Sequence, residues 1–402
     1  MKEPIYFDNN ATTRVADEVR EAMLPFLEQF YGNPNSMHSF GGQVAKHVDT
    51  ARRQVAHLLG CEPDEIIFTS CGTESNNAAV LSAVQTNSDA DHLVTTRVEH
   101  PAVGGACRKL SERGIAGRKW RLTELPVGAG GQLSLPDVGN SLTDGTAVVS
   151  VMWANNETGT IFPVEDIGAM CRDRGVTFHT DAVQAVGKLP INLSELPIDM
   201  LSLSGHKLHA PKGVGALYVR KGVRFSPLLV GGHQERNRRG GTESVPLIVG
   251  IGRAAELAER RMDEERTRVA AMRDRLEREL VARCPDARVN GDVENRLPNT
   301  TNISFEYVEG ESILLMLDAE GICASSGSAC TSGSLEPSHV MRAMGVPYTA
   351  AHGSVRFSLS TYNTDAEVDR VIEVLPPIIR RLREISPFGR PAPVEKTSSR
   401  QP

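Results

Sequence analysis

The chain has 402 residues, of which 40% are hydrophobic and 23% charged, and a formal net charge of -6. That length supports two packed domains, each with its own core, and the slight acidity gives no broad electrostatic case for nucleic acid, so small-molecule chemistry is the starting expectation. The N-terminus lacks the apolar run of a signal peptide, no segment approaches the roughly 18 uninterrupted apolar residues of a membrane span, and the seven scattered cysteines include no CxxC pair; a soluble cytoplasmic protein with free thiols is expected, without a disulfide framework or a standard zinc site.

Residues 14–60 read as helical and broken by the turn-rich Gly32-Asn33-Pro34-Asn35-Ser36; Val44, Val48, Val55 and Leu58 then recur at near-helical spacing over 41–60. Strands are predicted at 65–69, 93–96, 147–152, 176–179, 198–203 and 215–219, with helices from about Glu74 and Pro101. Strands alternating with helices imply an α/β fold with a mostly parallel sheet covered on both faces. A long charged helix over 251–283 reads as a solvated connector into a second, smaller α+β domain. That domain carries strands 302–305 and 354–358 and helices near 311–320 and 365–385, where Pro376-Pro377 should break or kink the helix. The expected division is a large domain over 14–255, a small domain from 1–13 and 256–387, and a Pro-, Ser- and Arg-rich disordered tail over 388–402.

Five predicted strand ends carry polar groups, and in open α/β sheets ligands sit beyond such ends. After 65–69 comes Ser70-Cys71-Gly72-Thr73-Glu74: small residues opening a helix can cradle a phosphate, or simply cap it. His100, before Pro101, is either a structural imidazole or one that stacks on a ring and carries protons. Asn155 and Asn156 form a polar turn or an amide pair that binds a carboxylate. Asp181 is a helix cap or the partner of a pyridinium nitrogen, with Gln184 three residues on. In Ser204-Gly205-His206-Lys207, the lysine is a rim residue or a Schiff-base amine. Singly most of these readings are bland; together they supply every group that pyridoxal phosphate needs. Cys330, among Ser and Gly in Ser325-Ser326-Gly327-Ser328-Ala329-Cys330-Thr331-Ser332-Gly333, has the setting of a nucleophile on a mobile loop, whereas Cys107, Cys171 and Cys323 suit inert buried thiols.

From about Ile5 to about Pro387 the chain resembles the NifS/IscS-type cysteine desulfurases of the class V aminotransferase group, closest to the NifS branch that serves nitrogenase. The stretches that carry the resemblance are Phe7-Asp8-Asn9-Asn10-Ala11-Thr12-Thr13, Met152-Trp153-Ala154-Asn155-Asn156-Glu157-Thr158-Gly159, Ser204-Gly205-His206-Lys207 and the Cys330 segment through His339. The resemblance implies the fold type I architecture of pyridoxal 5'-phosphate enzymes, with Lys207 as the Schiff-base lysine. Asp181 would lie on the pyridine nitrogen, Gln184 on the phenolic oxygen and His100 on the ring and in proton transfer. Gly72, Thr73, Ser204 and His206 would hold the phosphate, with Thr242 crossing from the second subunit of a homodimer. Asn155, Asn156 and Arg356 would surround the substrate, L-cysteine, and Cys330 would take its sulfur as a persulfide for a scaffold protein of iron-sulfur cluster assembly. No metal site is implied beyond transient iron-sulfur contact through that persulfide; a site from Cys330, His339 and His352 is the weaker reading. A related lyase, such as a selenocysteine lyase, or a carrier whose cofactor chemistry has lapsed, are the alternatives.

Overall fold

The computed structural model describes residues 3–115, 117–326 and 336–386. Its main element is a seven-stranded sheet whose strands lie, edge to edge, as Ile66–Thr69, Gly215–Val219, Met200–Ser204, Thr177–Asp181, Thr146–Ser150, His92–Thr96 and Arg121–Leu125. Gly215–Val219 runs antiparallel to both of its neighbours, and every other pairing is parallel. Six strands therefore end at one rim.

Both faces of the sheet are buried, which is why its central strands are apolar runs rather than alternations. On one face, helices Gly72–Thr86 and Pro101–Arg113 press Ala79, Ala83, Val103 and Cys107 against Leu93, Val148 and Leu217. The alanines let the first of these helices lie close to the strands. On the other face, Ser39–Leu59, Val164–Asp173 and Val245–Glu264 bury Val44, Val55, Ile167 and Ile251 with Val149, Phe178 and Leu203.

A second core lies under a four-stranded antiparallel sheet ordered Ser325–Ser326, Ser354–Ser358, Thr300–Phe305, Ala287–Asn290. Ala270–Arg283, Gly310–Ala319 and Asp365–Ile385 contribute Met272, Leu276, Ile313, Val371 and Leu375 to it. Phe7 joins this core from the N-terminus, where Ile5–Tyr6 pairs in parallel with Ile322–Cys323.

Three expectations change. The long charged helix is no solvated connector. It starts at Val245, runs through a π-helical stretch at Glu265–Val269, and continues to Arg283. Its first part buries Ile248, Ile251 and Ala255 in the main core, and its second part buries Val269, Met272 and Leu280 in the other. Pro376 and Pro377 sit inside Asp365–Ile385 without ending it. Val371, Ile372, Val374, Leu375, Ile378 and Ile379 are buried around them, and burial at about 1.5–3 kcal/mol per side chain outweighs about 3 kcal/mol per proline. The edge strand Arg121–Leu125 escapes sequence reading because its residues, Arg-Leu-Thr-Glu-Leu, are mostly part-exposed and polar.

Candidate active site

Met200–Ser204 ends in the 3-10 turn Gly205–Lys207 at the sheet rim. Lys207 Nζ donates to the carbonyls of Asn10 at 2.5 Å and Ala11 at 2.6 Å. Burial pushes its pKa down to about 7; Arg356 and Lys188 act in the same direction, Asp8 and Asp181 against it. Near neutral pH a large part of this amine is uncharged, the form that attacks a carbonyl.

The neighbouring strand ends converge on it. Asp181, 5% exposed, accepts from Asn76 Nδ2 at 2.6 Å and from the Val183 N–H at 3.0 Å. The second bond is the local cap that sequence allows, so capping and ligand binding coexist in one carboxyl group. Burial raises the Asp181 pKa, while the Val183 amide and His100 lower it. Gln184 Nε2 donates to the same Asn10 carbonyl as Lys207, at 3.0 Å. His100 Nδ1 accepts from the Ala102 N–H at 3.1 Å, so the neutral ring carries its proton on Nε2. Although the ring reaches solvent, burial of its remaining surface lowers its pKa, Asp181 raises it, and Lys207 and His339 lower it further. Glu99, its neighbour, is fully buried with its carboxyl pushed up to about 8 by desolvation, which spares Asp181 a second negative charge.

Gly72 opens Gly72–Thr86 against Ser204. A Cβ on Gly72 would lie 2.8 Å from Val183 Cγ2 and 3.3 Å from Ser204 Cβ, so only glycine permits this approach. Thr73 is the next residue and is exposed. Ser204 Oγ is buried without a partner among the described residues, as is Gln184 Oε1. His206 packs on the N-terminal segment, its Nδ1 3.2 Å from Thr12 Oγ1, and burial, with Lys207 and Lys212, pushes its pKa down to about 4.

Arg356, on Ser354–Ser358, brings the second sheet to the site. Its Nη2 lies 2.7 Å from Asp8 Oδ1 and its Nη1 donates to the Asn156 carbonyl at 3.0 Å. Asn155 is held by its surroundings. Its Oδ1 accepts from the Glu157 and Thr158 N–H groups at 2.9 and 3.0 Å, and its Nδ2 donates to Val98 O at 3.2 Å. At 1% exposure it shapes the turn.

Thr242 is exposed and does not join the Lys207 cluster; it lines a separate cavity with Thr69, Ser70 and Arg239. The segment before it holds Glu235, Arg236 and Asn237 at φ 47°, 58° and 63°, a left-handed run that non-glycine residues resist. A buried pair holds it: Arg52 Nη1 and Nη2 lie 2.7 and 2.8 Å from the Glu235 carboxylate. Cys330 falls outside the described residues. His339 Nε2 donates to Glu99 O at 2.9 Å and His352 Nδ1 lies 3.5 Å from Glu309, so the two imidazoles have different neighbours. Among the described residues, no group of three His, Cys, Asp or Glu could hold a metal ion. Asp8, Asn10 and Asn76 were not singled out from sequence as site residues. The first two lie in the N-terminal stretch of the resemblance, and Asn76 carried no separate signal.

Residues 5–371 match the model of the aminotransferase class-V family. The chain belongs to that family. It is 59% identical to "Cysteine desulfurase NifS" of Azotobacter vinelandii over 385 residues, 96% of this chain and 94% of that one. A solved structure described as a NifS-like protein superposes with a TM-score of 0.88 at 40% identity, covering 94% of this chain and all of that one. Another, described as SspA in complex with cysteine, gives 0.77 at 35% identity, covering 90% and 100%.

Class-V aminotransferases work with pyridoxal phosphate, and the residues present fit it. Asp181 is a buried carboxyl with only neutral hydrogen-bond donors, Ser204 Oγ awaits a partner, and Gly72 leaves room where a Cβ would intrude. Two outcomes are expected. Gly72→Ala should weaken cofactor affinity by about tenfold or more, since the intruding methyl must displace Val183 or Ser204; titrating the apoenzyme with cofactor by absorbance checks this. The initial rate of covalent cofactor capture by the apoenzyme should rise about tenfold from pH 6 to pH 8, as the Lys207 amine loses its proton around pH 7. A flat profile would show that a charged lysine is not what limits capture.

Proposed function

We propose that this chain is a pyridoxal-phosphate-dependent cysteine desulfurase that transfers the sulfur of L-cysteine to Cys330, releases L-alanine, and supplies iron-sulfur cluster assembly connected with nitrogenase. The observation that carries this reading is the gathering of Lys207, Asp181, Gln184, Ser204 and Arg356 at one sheet rim, in a chain 59% identical to a cysteine desulfurase.

When bound, pyridoxal phosphate supplies an electron sink for the substrate α-carbon. Lys207 would tether it and would take the substrate α-proton on Nζ, a task its lowered pKa suits. Asp181 keeps the pyridine nitrogen protonated. Gln184 has an N–H beyond the one given to Asn10 for the phenolic oxygen. Gly72, Thr73, Ser204 and His206 would hold the phosphate, Arg356 with Asn156 would take the substrate carboxylate, and His100 would cover the ring. With its proton on Nε2, neutral His100 would offer a hydrogen-bond donor toward the substrate sulfur.

The Cys330 thiolate forms a bond to the substrate sulfur while the Cβ–S bond breaks. The electron pair stays on the β-carbon, which is protonated, and Lys207 returns to the α-carbon the proton it took, which yields L-alanine and a persulfide on Cys330. Thr242, exposed on a loop braced by the Arg52–Glu235 pair, is free to reach the phosphate of a second subunit, which supports a homodimer as the working form in the cytoplasm. The persulfide passes sulfur to a scaffold protein and meets iron only there.

The test is alanine and sulfide release from L-cysteine, with and without reductant, by wild type and Cys330→Ala. Both preparations should sediment as dimers with equal cofactor absorbance. Wild type should form one persulfide per chain, and the variant none, with a loss of at least about 10²-fold in sulfide release. Normal release by the variant, as a lyase without a thiol nucleophile would give, removes the reading.

A further inference from the structure

We propose that Asp8 is a positioning residue that sets the Arg356 guanidinium for the α-carboxylate of the amino-acid substrate; the inference rests on the reading of Arg356 as the carboxylate ligand. Asp8 Oδ1 accepts from Arg356 Nη2 at 2.7 Å and from Ser325 Oγ at 2.8 Å. The Asn156 carbonyl holds Nη1 at 3.0 Å. The Arg356 and Asp8 side chains are 10% and 17% exposed, so water does little to compete for either.

Each terminal nitrogen of a guanidinium carries two N–H groups. Asp8 and Asn156 engage one on each and leave the other available to a ligand. A planar fork held at both ends cannot swing about its flexible stem, so the conformational cost of ordering it is met before substrate arrives.

The anchor itself is well fixed. Ser358 N donates to Phe7 O at 2.8 Å, and Asn9 N and Nδ2 donate to Ser358 O at 3.1 and 3.0 Å. The N-terminal segment is thereby joined to the strand that carries Arg356, two residues from it. That strand is paired on both sides, Arg356 facing Asn302 on one and Ser325 on the other. With backbone and anchor held, side-chain rotation is the remaining freedom, and Asp8 removes it. Asp8 also places a negative charge near the incoming carboxylate. The proposal states that orientation outweighs this repulsion, which makes the sign of the effect a real test.

The experiment titrates the holoenzyme's cofactor absorbance with L-alanine and with ethylamine, which lacks only the carboxylate, in wild type, Asp8→Ala, Asp8→Asn and Arg356→Lys. Relative to ethylamine, which shares any effect of Asp8 on Lys207, Asp8→Ala should need about tenfold more L-alanine for a half-maximal shift, the scale of one charge-assisted hydrogen bond. Asp8→Asn keeps the shape and an acceptor oxygen, so it should lose about threefold and serves as the variant should Asp8→Ala not fold. L-alanine binding that is unchanged or tighter in the Asp8 variants, while Arg356→Lys is weakened, overturns the role of Asp8 and leaves that of Arg356 standing. Equal weakening for both amines overturns it too, as a general structural defect. Unchanged L-alanine binding in Arg356→Lys overturns the carboxylate reading and the inference with it.

Discussion

Lys207→Ala is expected to lose covalent attachment of the cofactor and at least about 10³-fold of desulfurase turnover. In the proposed function the amine has two tasks, tethering and proton transfer, and a positioned acid-base group alone contributes roughly 10²- to 10⁴-fold. Among the described residues no other amine is placed to substitute. Lys188, 7% exposed, donates to Gln184 O at 3.1 Å, and burial lowers its pKa to about 8, but that bond holds it on the turn after Asp181. Borohydride reduction and then acid denaturation should leave cofactor absorbance on the wild-type chain and none on the variant. A reducible adduct surviving in Lys207→Ala would sink the assignment.

Asp181→Asn is the second large effect, and it separates stability from catalysis. In the proposed function the carboxylate would face a pyridinium, and removing one partner of a buried ion pair costs about 3–5 kcal/mol, or roughly 10²- to 10⁴-fold in turnover if it is felt in the transition state. Without cofactor its hydrogen-bond donors are the neutral Asn76 and Val183 groups, and burial raises its pKa. The folded apoenzyme then holds that proton more tightly than the unfolded chain, so this group's contribution to stability falls as pH rises above the ordinary carboxylate range. Asp181→Asn apoenzyme should melt at the same or a higher temperature than wild type at pH 8, while its holoenzyme turns over slowly. A variant that is less stable without cofactor but fully active with it would reverse both halves of the argument.

Much of this site is legible in the chain itself. Lys207, Asp181, His100 and Gly72 each come within a few residues of the end of an apolar run, and an apolar run that becomes a strand of a parallel sheet must deliver the next residues to the shared rim. The partners that tune these residues are not legible in that way. Lys207 bonds Asn10 across 197 residues, and Arg356 pairs with Asp8 across 348, distances over which spacing carries no information. Asn155 is a case where residue type says little about surroundings: an amide beside the site is chemically suited to a ligand, yet its own turn engages the oxygen and the Val98 carbonyl the nitrogen. The long helix misleads for a related reason. Its many Arg and Glu residues suggest solvent all round, while two narrow stripes of Ile, Val, Met and Leu bury in two different cores.

What the sequence by itself determined is the order of elements, the α/β class, the family, and which residue types stand at each strand end. Those come from local patterns: the period of apolar residues and the chemistry of short motifs. Only the tertiary structure decided that burial lowers the pKa of the Lys207 amine toward about 7, that the Asn155 amide is hydrogen-bonded at both ends, and that Arg356 stands between Asp8 and Asn156. Protonation and orientation depend on burial and on charges a few ångströms away, and those neighbours are assembled by the fold rather than by adjacency in the chain.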